Sequence, residues 1–466
     1  MGRSRAVTPV HQPLALTRRG LLGAGVGVGA GAVGVGVAGP GGLSTSAMAA
    51  GGNPSDSGSP DCVNAWIDTL FDVTWAEGPS PTNAARMYAY CALAMYESVA
   101  PHTQTLRSLT GQLSDLGGLP RPPAGRVDLP CVVAGSVGAV AGRLFAEASA
   151  SSRELLAETM TSQVAARRST GVPAGVIRTS LEHGRRLGAR LNAWIDTDGY
   201  AGTVGRAYTP PAGPDLWRPT PPNFGAAIEP YWSEVRPLVL RTAAEVAPAP
   251  PVSFSTVEGS PFWEQANLTL QTGLALTASQ RRIAMFWRDN PVTSGLPSGH
   301  WMRVVRQFSA QHGLSLAETV EAYARVGVAL HDAFLNCWTW KYRYRLLRPV
   351  SYVHEYIQAD LPPAQQWQSF VNSPQFPEYS SGHSVASRAA STVLTDLLGE
   401  RTYVDHHPAA PGGGDTRGFD SFHQAADEAA ISRLYGGIHY LMGIENGKAQ
   451  GDDIGALVID RLRTRR

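Results

Sequence analysis

Apolar residues recur at helical spacing over most of this chain. Between Asn83 and Val99 they fall at Ala84, Met87, Tyr88, Cys91, Leu93, Ala94 and Tyr96, a single stripe of 3.6-residue period. Residues 130–168 and 173–196 are Ala-rich with helical spacing, and Pro101 and the Gly/Pro-rich stretch 117–125 interrupt the series. Further helices are expected over 263–289, 299–312, 316–341, 383–399, 421–435 and 444–462. No run with clean strand alternation and useful length is found. Residues 201–262 are rich in proline yet carry Trp217, Tyr231, Trp232 and Phe254, which reads as an ordered loop wrapping the body. The expected fold class is mainly α: helical bundles in an N-terminal part (62–200) and a C-terminal part (263–466), joined by a long irregular Pro-rich region.

The first 50 residues read as an export signal. Thr17-Arg18-Arg19-Gly20-Leu21-Leu22 precedes a Gly/Ala/Val stretch through Ala38 and a small-residue end at Ala47-Met48-Ala49, the layout of a twin-arginine signal. A membrane anchor is the alternative, but the stretch is Gly-rich and weakly apolar. Residues 51–61 are Gly/Ser/Pro-rich and expected to be disordered. The mature chain is therefore expected outside the cytoplasm, in the extracellular or periplasmic and cell-wall space, and without a membrane span. A net charge of +1 gives no global case for nucleic acid or an anionic membrane as partner. Cys62, Cys91, Cys131 and Cys337 form no CxxC or zinc spacing, and one disulfide is left open. Oligomeric state is not readable.

Four segments near the end carry the candidate chemistry. Lys341, one of two lysines in the chain, ends an expected helix, with Arg348-Pro349 seven residues on. Pro349 restricts Arg348 to extended backbone and stops the helix. Ser381-Gly382-His383 precedes an apolar helical run: Ser380 or Ser381 caps it, and the first amides point at whatever anion sits there. His383 then stands as an acid/base. Arg433 and His439 would lie on different faces of an unbroken helix, but Gly436-Gly437 can break it and let both converge. Each segment alone fits a capped or basic helix end; together they make a container for an oxyanion. Pro297-Ser298-Gly299-His300 is a second match to the PSGH pattern, expected to be a helix start with His300 and Trp301 in supporting roles.

In order and spacing, Lys341-x6-Arg348-Pro349, Ser381-Gly382-His383 and Ser432-Arg433-x5-His439 resemble the tripartite motif shared by vanadium-dependent haloperoxidases and type 2 phosphatidic acid phosphatases. Flanking text around Trp338, Phe376-Pro377-Glu378-Tyr379 and Leu434-Tyr435 is similar to bacterial haloperoxidases. The resemblance implies vanadate as cofactor, with phosphate able to take its place, and hydrogen peroxide, halide and an unidentified organic acceptor as partners. It implies that His439 bonds vanadium and that Lys341, Arg348 and Arg433 neutralise the oxygens, helped by Ser381 and the Gly382 amide. It further implies that His383 moves a proton, that Lys341 polarises bound peroxide, that Asp289 orients His383, and that Trp338 and Phe376 line a halide side of chloroperoxidase type. Two positions depart from the pattern. Ser380 replaces the proline before Ser-Gly-His, and Gly443 replaces the aspartate that would hold the ligand imidazole, leaving Glu445 or a backbone carbonyl as substitute. A phosphatase working through a phosphohistidine on His439 is the rival reading, and a non-catalytic secreted protein a third.

Overall fold

Thirteen α-helices and one β-hairpin organise residues 58–408 and 414–466, which the computed structural model describes. The expected export signal and most of the 51–61 segment lie outside the described residues. Residues 58–61 are tied down, contrary to the disorder expected there: the Gly58 carbonyl accepts the Leu316 N–H at 2.7 Å, and α1 already begins at Asp61.

The first half comprises α1 (Asp61–Glu77), α2 (Pro81–Val99), α3 (Leu129–Leu144), α4 (Ala150–Ser169) and α5 (Ala174–Ile195). The second comprises α6 (Pro261–Leu274), α7 (Ala278–Phe286), α8 (Leu296–His312), α9 (Leu316–Tyr344), α10 (Pro349–Tyr352), α11 (Gly382–Leu398), α12 (Phe422–Tyr435) and α13 (Leu441–Arg461). Two expected helices each divide. The 130–168 stretch breaks between Leu144 and Ala150, and 263–289 breaks before a Thr277/Gln280 capping box that starts α7. Among the described residues no helix is long and apolar enough to cross a membrane.

Helices α2 and α9 are buried nearly all round and pack on each other, so one hydrophobic core joins the two halves. A Ser315/Glu318 capping box starts α9, whose 29 residues carry Lys341 toward the far end of the core. Residues 201–260, ahead of α6, hold only short 3₁₀ turns and are pinned from beneath. Buried Asp332 of α9 accepts the N–H groups of Leu238, Val239 and Leu240 at 2.8, 2.8 and 2.9 Å.

A hairpin of β1 (Tyr403–His407) and β2 (Asp415–Phe419) is added to the mainly α fold that the sequence led us to expect. Its inward positions are Tyr403, Asp405 and His407. Two of the three are polar, so no apolar alternation marked the strand. All four cysteines are unpaired.

Candidate active site

Helix α9 delivers Lys341 and then stops. Arg345 turns into the left-handed region at φ 52°, and the chain returns in extended form to Arg348 (φ −75°, ψ 150°), ahead of Pro349 at the first position of α10. Both cations are fully buried. The Lys341 ammonium donates to the carbonyls of Pro377 (3.0 Å), Glu378 (2.8 Å) and Ser380. These three bonds use all three of its donors. Lys341 therefore grips the loop before α11 and places its charge behind it. Arg348 donates from Nε to Phe376 O (2.9 Å) and from Nη1 to Ile438 O (2.8 Å), and lies 3.3 Å from His439 Nε2.

Ser381 caps α11, its hydroxyl accepting the Ser384 N–H at 3.4 Å. Ser380, in the place of the motif's proline, turns its hydroxyl to Gln450. Gly382 and His383 open onto a cavity of about 320 Å³ together with Arg433 and His439. Helix α12 ends at Tyr435, and Gly437 at φ +75° reverses the chain. That reversal brings His439 back beside Arg433, a turn open to glycine and costly for other residues.

The carboxylate that holds His439 is Glu378, not Glu445 or a carbonyl. His439 Nδ1 lies 2.7 Å from Glu378 Oε1, which also accepts the Tyr440 N–H at 3.2 Å. A Cβ at Gly443 would stand 2.5 Å from that oxygen. The glycine and the glutamate are therefore complementary: the acid comes from the loop before α11 and fills the space a side chain at 443 would need. Glu445 instead pairs with Lys448 at 3.0 Å on the surface. Sequence reading passed over Glu378 as flanking text. Its only signal was an acid three residues before the Ser-Gly-His segment.

Trp338 and Phe376 form one wall, their ring centroids 4.6 Å apart, with Phe376 over Lys341 (5.2 Å) and Arg348 (4.9 Å). Asp289 also lines the cavity, but the expected pairing with His383 is corrected. At φ 42° its backbone aims the carboxylate at His300 Nδ1 (2.9 Å) and His407 Nε2 (3.1 Å). His383 is held instead by the main-chain carbonyl of Trp287, which also accepts Arg433 Nη1 at 2.8 Å. His300, of the second PSGH match, is fully buried in this cluster.

The electrostatics of the site are those of an anion pocket. Burial lowers Lys341 to about 8 and Arg348 and Arg433 each to about 10. Burial, then the neighbouring cations, hold His439 well below the ordinary imidazole range, so it is neutral. Glu378 fixes its proton on Nδ1 and leaves Nε2 as a lone-pair acceptor, which meets Arg348 Nη1 at 3.3 Å. Arg348 Nη2, Arg433 Nε and His383 Nε2 are buried without partners. The two unpaired guanidinium donors are costly to bury and fit a multiply charged oxyanion, and the neutral His383 offers its Nε2 lone pair beside them. The residues present therefore fit vanadate: Nε2 as metal ligand, and the guanidinium donors, the Gly382 amide and His383 around its oxygens.

This arrangement defines a helical-bundle enzyme with a buried oxyanion site built on a carboxylate-held histidine. Comparison with solved structures gives the class its family. The chain is 33% identical to a structure described as the first bacterial vanadium-dependent iodoperoxidase, covering 87% of this chain and 97% of that one with a TM-score of 0.80. The holo form of a bacterial vanadium-dependent chloroperoxidase shares the fold at 15% identity and a TM-score of 0.66, over 87% of this chain and 98% of that one. A family model described as the VCPO second helical-bundle domain matches residues 321–465. No curated protein sequence matches. The chain belongs to the vanadium-dependent haloperoxidase family.

Proposed function

We propose that this protein oxidises halide with hydrogen peroxide in a vanadate-dependent reaction, giving a hypohalous-acid equivalent, with iodide as the first halide to expect. The observation that carries this reading is the pair of unpartnered guanidinium nitrogens, Arg348 Nη2 and Arg433 Nε, beside a neutral His439 whose Nε2 meets Arg348 Nη1 at 3.3 Å. The 33% identical relative is an iodoperoxidase. The aromatic pair Trp338 and Phe376 had pointed to the chloroperoxidase type, but the likeness there is one of fold.

When bound, vanadate supplies a Lewis-acid centre that activates peroxide without changing oxidation state. The chain supplies the rest. His439 Nε2 is the ligand atom, and Glu378 keeps it basic by taking the Nδ1 proton's hydrogen bond. Arg348 and Arg433 bring bidentate donors that do not deprotonate in proteins. Lys341 adds positive charge while locking the 377–380 carbonyls. His383, neutral and with Nε2 facing the cavity, accepts and returns the proton of incoming peroxide. Trp338 and Phe376 keep water from the halide side.

The Glu378–His439 pair equally suits a nucleophilic histidine, so the phosphatase reading no longer suffers from Gly443. The test is reconstitution of purified protein with orthovanadate, then assay with peroxide and iodide, bromide or chloride, beside phosphate-ester hydrolysis without vanadate. Vanadate-dependent halide oxidation that disappears in His439→Ala supports the proposal. Ester hydrolysis that vanadate inhibits would replace it with the phosphatase. Twin-arginine export belongs to the same proposal, and rests on the residue pattern of 1–50; fusing that segment to a reporter and replacing Arg18-Arg19 with lysines tests it.

A further inference from the structure

We propose that His300, Asp405 and His407 are positioning residues of the oxyanion pocket, holding from behind the turn whose main chain anchors both Arg433 and His383. The inference rests on the oxyanion reading of that pocket.

One carbonyl sets two site side chains. Trp287 O accepts Arg433 Nη1 at 2.8 Å, and the His383 imidazole bonds to the same main-chain group. Trp287 ends α7, and the segment after it carries Asp289 and Val292 in the left-handed region, at φ 42° and 53°. Asp tolerates that conformation, but β-branched Val292 does not favour it, so the turn needs an outside hold.

The hold is a buried chain of polar groups. Asp289 bonds His300 Nδ1 at 2.9 Å; His300 Nε2 bonds Asp405 Oδ2 at 2.8 Å; Gln307 Nε2 donates to Asp405 Oδ1 at 3.0 Å. Gln307 in turn accepts the His406 N–H at 2.8 Å, so α8 and β1 grip each other. The His300 ring is stacked between Trp287 (4.4 Å, 23°) and His407 (4.1 Å, 12°). His407 Nε2 approaches the second Asp289 oxygen at 3.1 Å. Residues at both ends of the 287–289 turn are thus fixed, one by stacking and one by hydrogen bonds.

With a carboxylate on each nitrogen, His300 is an imidazolium donating both ways. Burial opposes its charge, but Asp289 and Asp405 outweigh it and push it up to about 10. Asp289, His300 and His407 also have the composition of a metal site. The stacking argues against one: a metal lies near the plane of each ligating ring, and two planes 12° from parallel at 4.1 Å offer no convenient common point. The bridging group is the Asp289 carboxylate, and the links are protons.

The experiment compares wild type, Asp405→Asn and His407→Gln, with Asp198→Asn as control. Asp198 sits in a buried pair with Arg86 in the first half of the fold. Orthovanadate affinity is measured by calorimetry and the bound state by 51V NMR. The ¹⁵N resonances of the His383 imidazole are read in vanadate-free protein. Expected are a vanadate affinity lower by about 10- to 100-fold in Asp405→Asn, a displaced 51V signal and a changed His383 resonance. His407→Gln should show the same changes to a smaller degree and serves if Asp405→Asn does not fold. Asp198→Asn should lose melting temperature with affinity and His383 resonances unchanged. Wild-type His383 resonances in both site variants would overturn the inference, as would stoichiometric Co²⁺ uptake abolished by His300→Gln. Failure of the wild type to bind vanadate would count against the proposed function, while the His383 resonances would still decide this inference.

Discussion

Glu378 Oε1 stands 2.7 Å from His439 Nδ1 and 2.5 Å from where a Cβ at Gly443 would be. Two positions 65 residues apart by their numbers, 378 and 443, thus share one carboxylate's worth of space. Gly443→Asp alone should collide with Glu378, and Glu378→Ala alone should leave the imidazole unheld; each should weaken orthovanadate binding by about 10- to 100-fold. The double variant Glu378→Ala/Gly443→Asp should recover much of the loss. Calorimetric titration of the four proteins checks this, and a double variant weaker than either single one would refute the exchange.

Arg433 makes one bond, to Trp287 O, and its Nε has no partner. Arg433→Met should reduce vanadate affinity by about 2–5 kcal/mol, the usual loss for one member of a buried charge pair. Without anion, removing an uncompensated buried charge offsets the lost hydrogen bond. The vanadate-free melting temperature should therefore stay within about 2 °C of wild type, roughly 1–2 kcal/mol for a chain of this size. Scanning calorimetry with and without vanadate measures both effects.

Gly437 turns at φ +75°, and a Cβ there would meet the Trp367 ring at 2.7 Å. Gly437→Ala should cost about 1–2 kcal/mol for the left-handed backbone, with the clash added. Because His439 follows two residues later, vanadate affinity should fall more than tenfold. Unchanged affinity with only a lowered melting temperature would show that the turn does not set the ligand.

Glu97 lies away from the pocket, is 2% exposed, and accepts the Leu109 N–H at 2.6 Å. Burial raises it from 4.5 to about 7. The folded chain therefore holds this proton between about pH 4.5 and 7 while the unfolded chain has released it. Its contribution to stability is full at the acid end and lost as pH rises through 7. Glu97→Gln should remove that slope and stabilise the protein above pH 7 by about 1–3 kcal/mol. Urea unfolding of both proteins at the two ends of the range checks the sign.

Much of this was legible in the residues. The stripe of α9, the cap at Ser381, the stop at Pro349 and the break at Gly436-Gly437 are local signals, and each marks where a site side chain leaves its helix. What escaped depends on tertiary approach. Glu378 reaches His439 across two loops, which no spacing rule encodes. Asp289 was assigned to His383 because both belong to the resemblance, but a left-handed backbone turned its carboxylate to His300. β1 was hidden because its inward face is Asp405 and His407, polar groups buried for each other's sake. Lys341 was read as neutralising the oxygens and polarising peroxide; its grip on the loop before α11 was not legible, because the carbonyls it bonds lie 36 or more positions further along.

The three buried cations have a consequence for handling the protein. Glu378 and Asp289 offset part of their charge; under the proposed function a bound oxyanion would offset the rest, and the solvent composition would set how firmly the polypeptide is folded. Once the free anion exceeds its dissociation constant, each tenfold rise adds about 1.4 kcal/mol of resistance to unfolding. Melting curves recorded in different buffers therefore describe differently loaded species, and the slope against anion concentration is a direct count of sites filled.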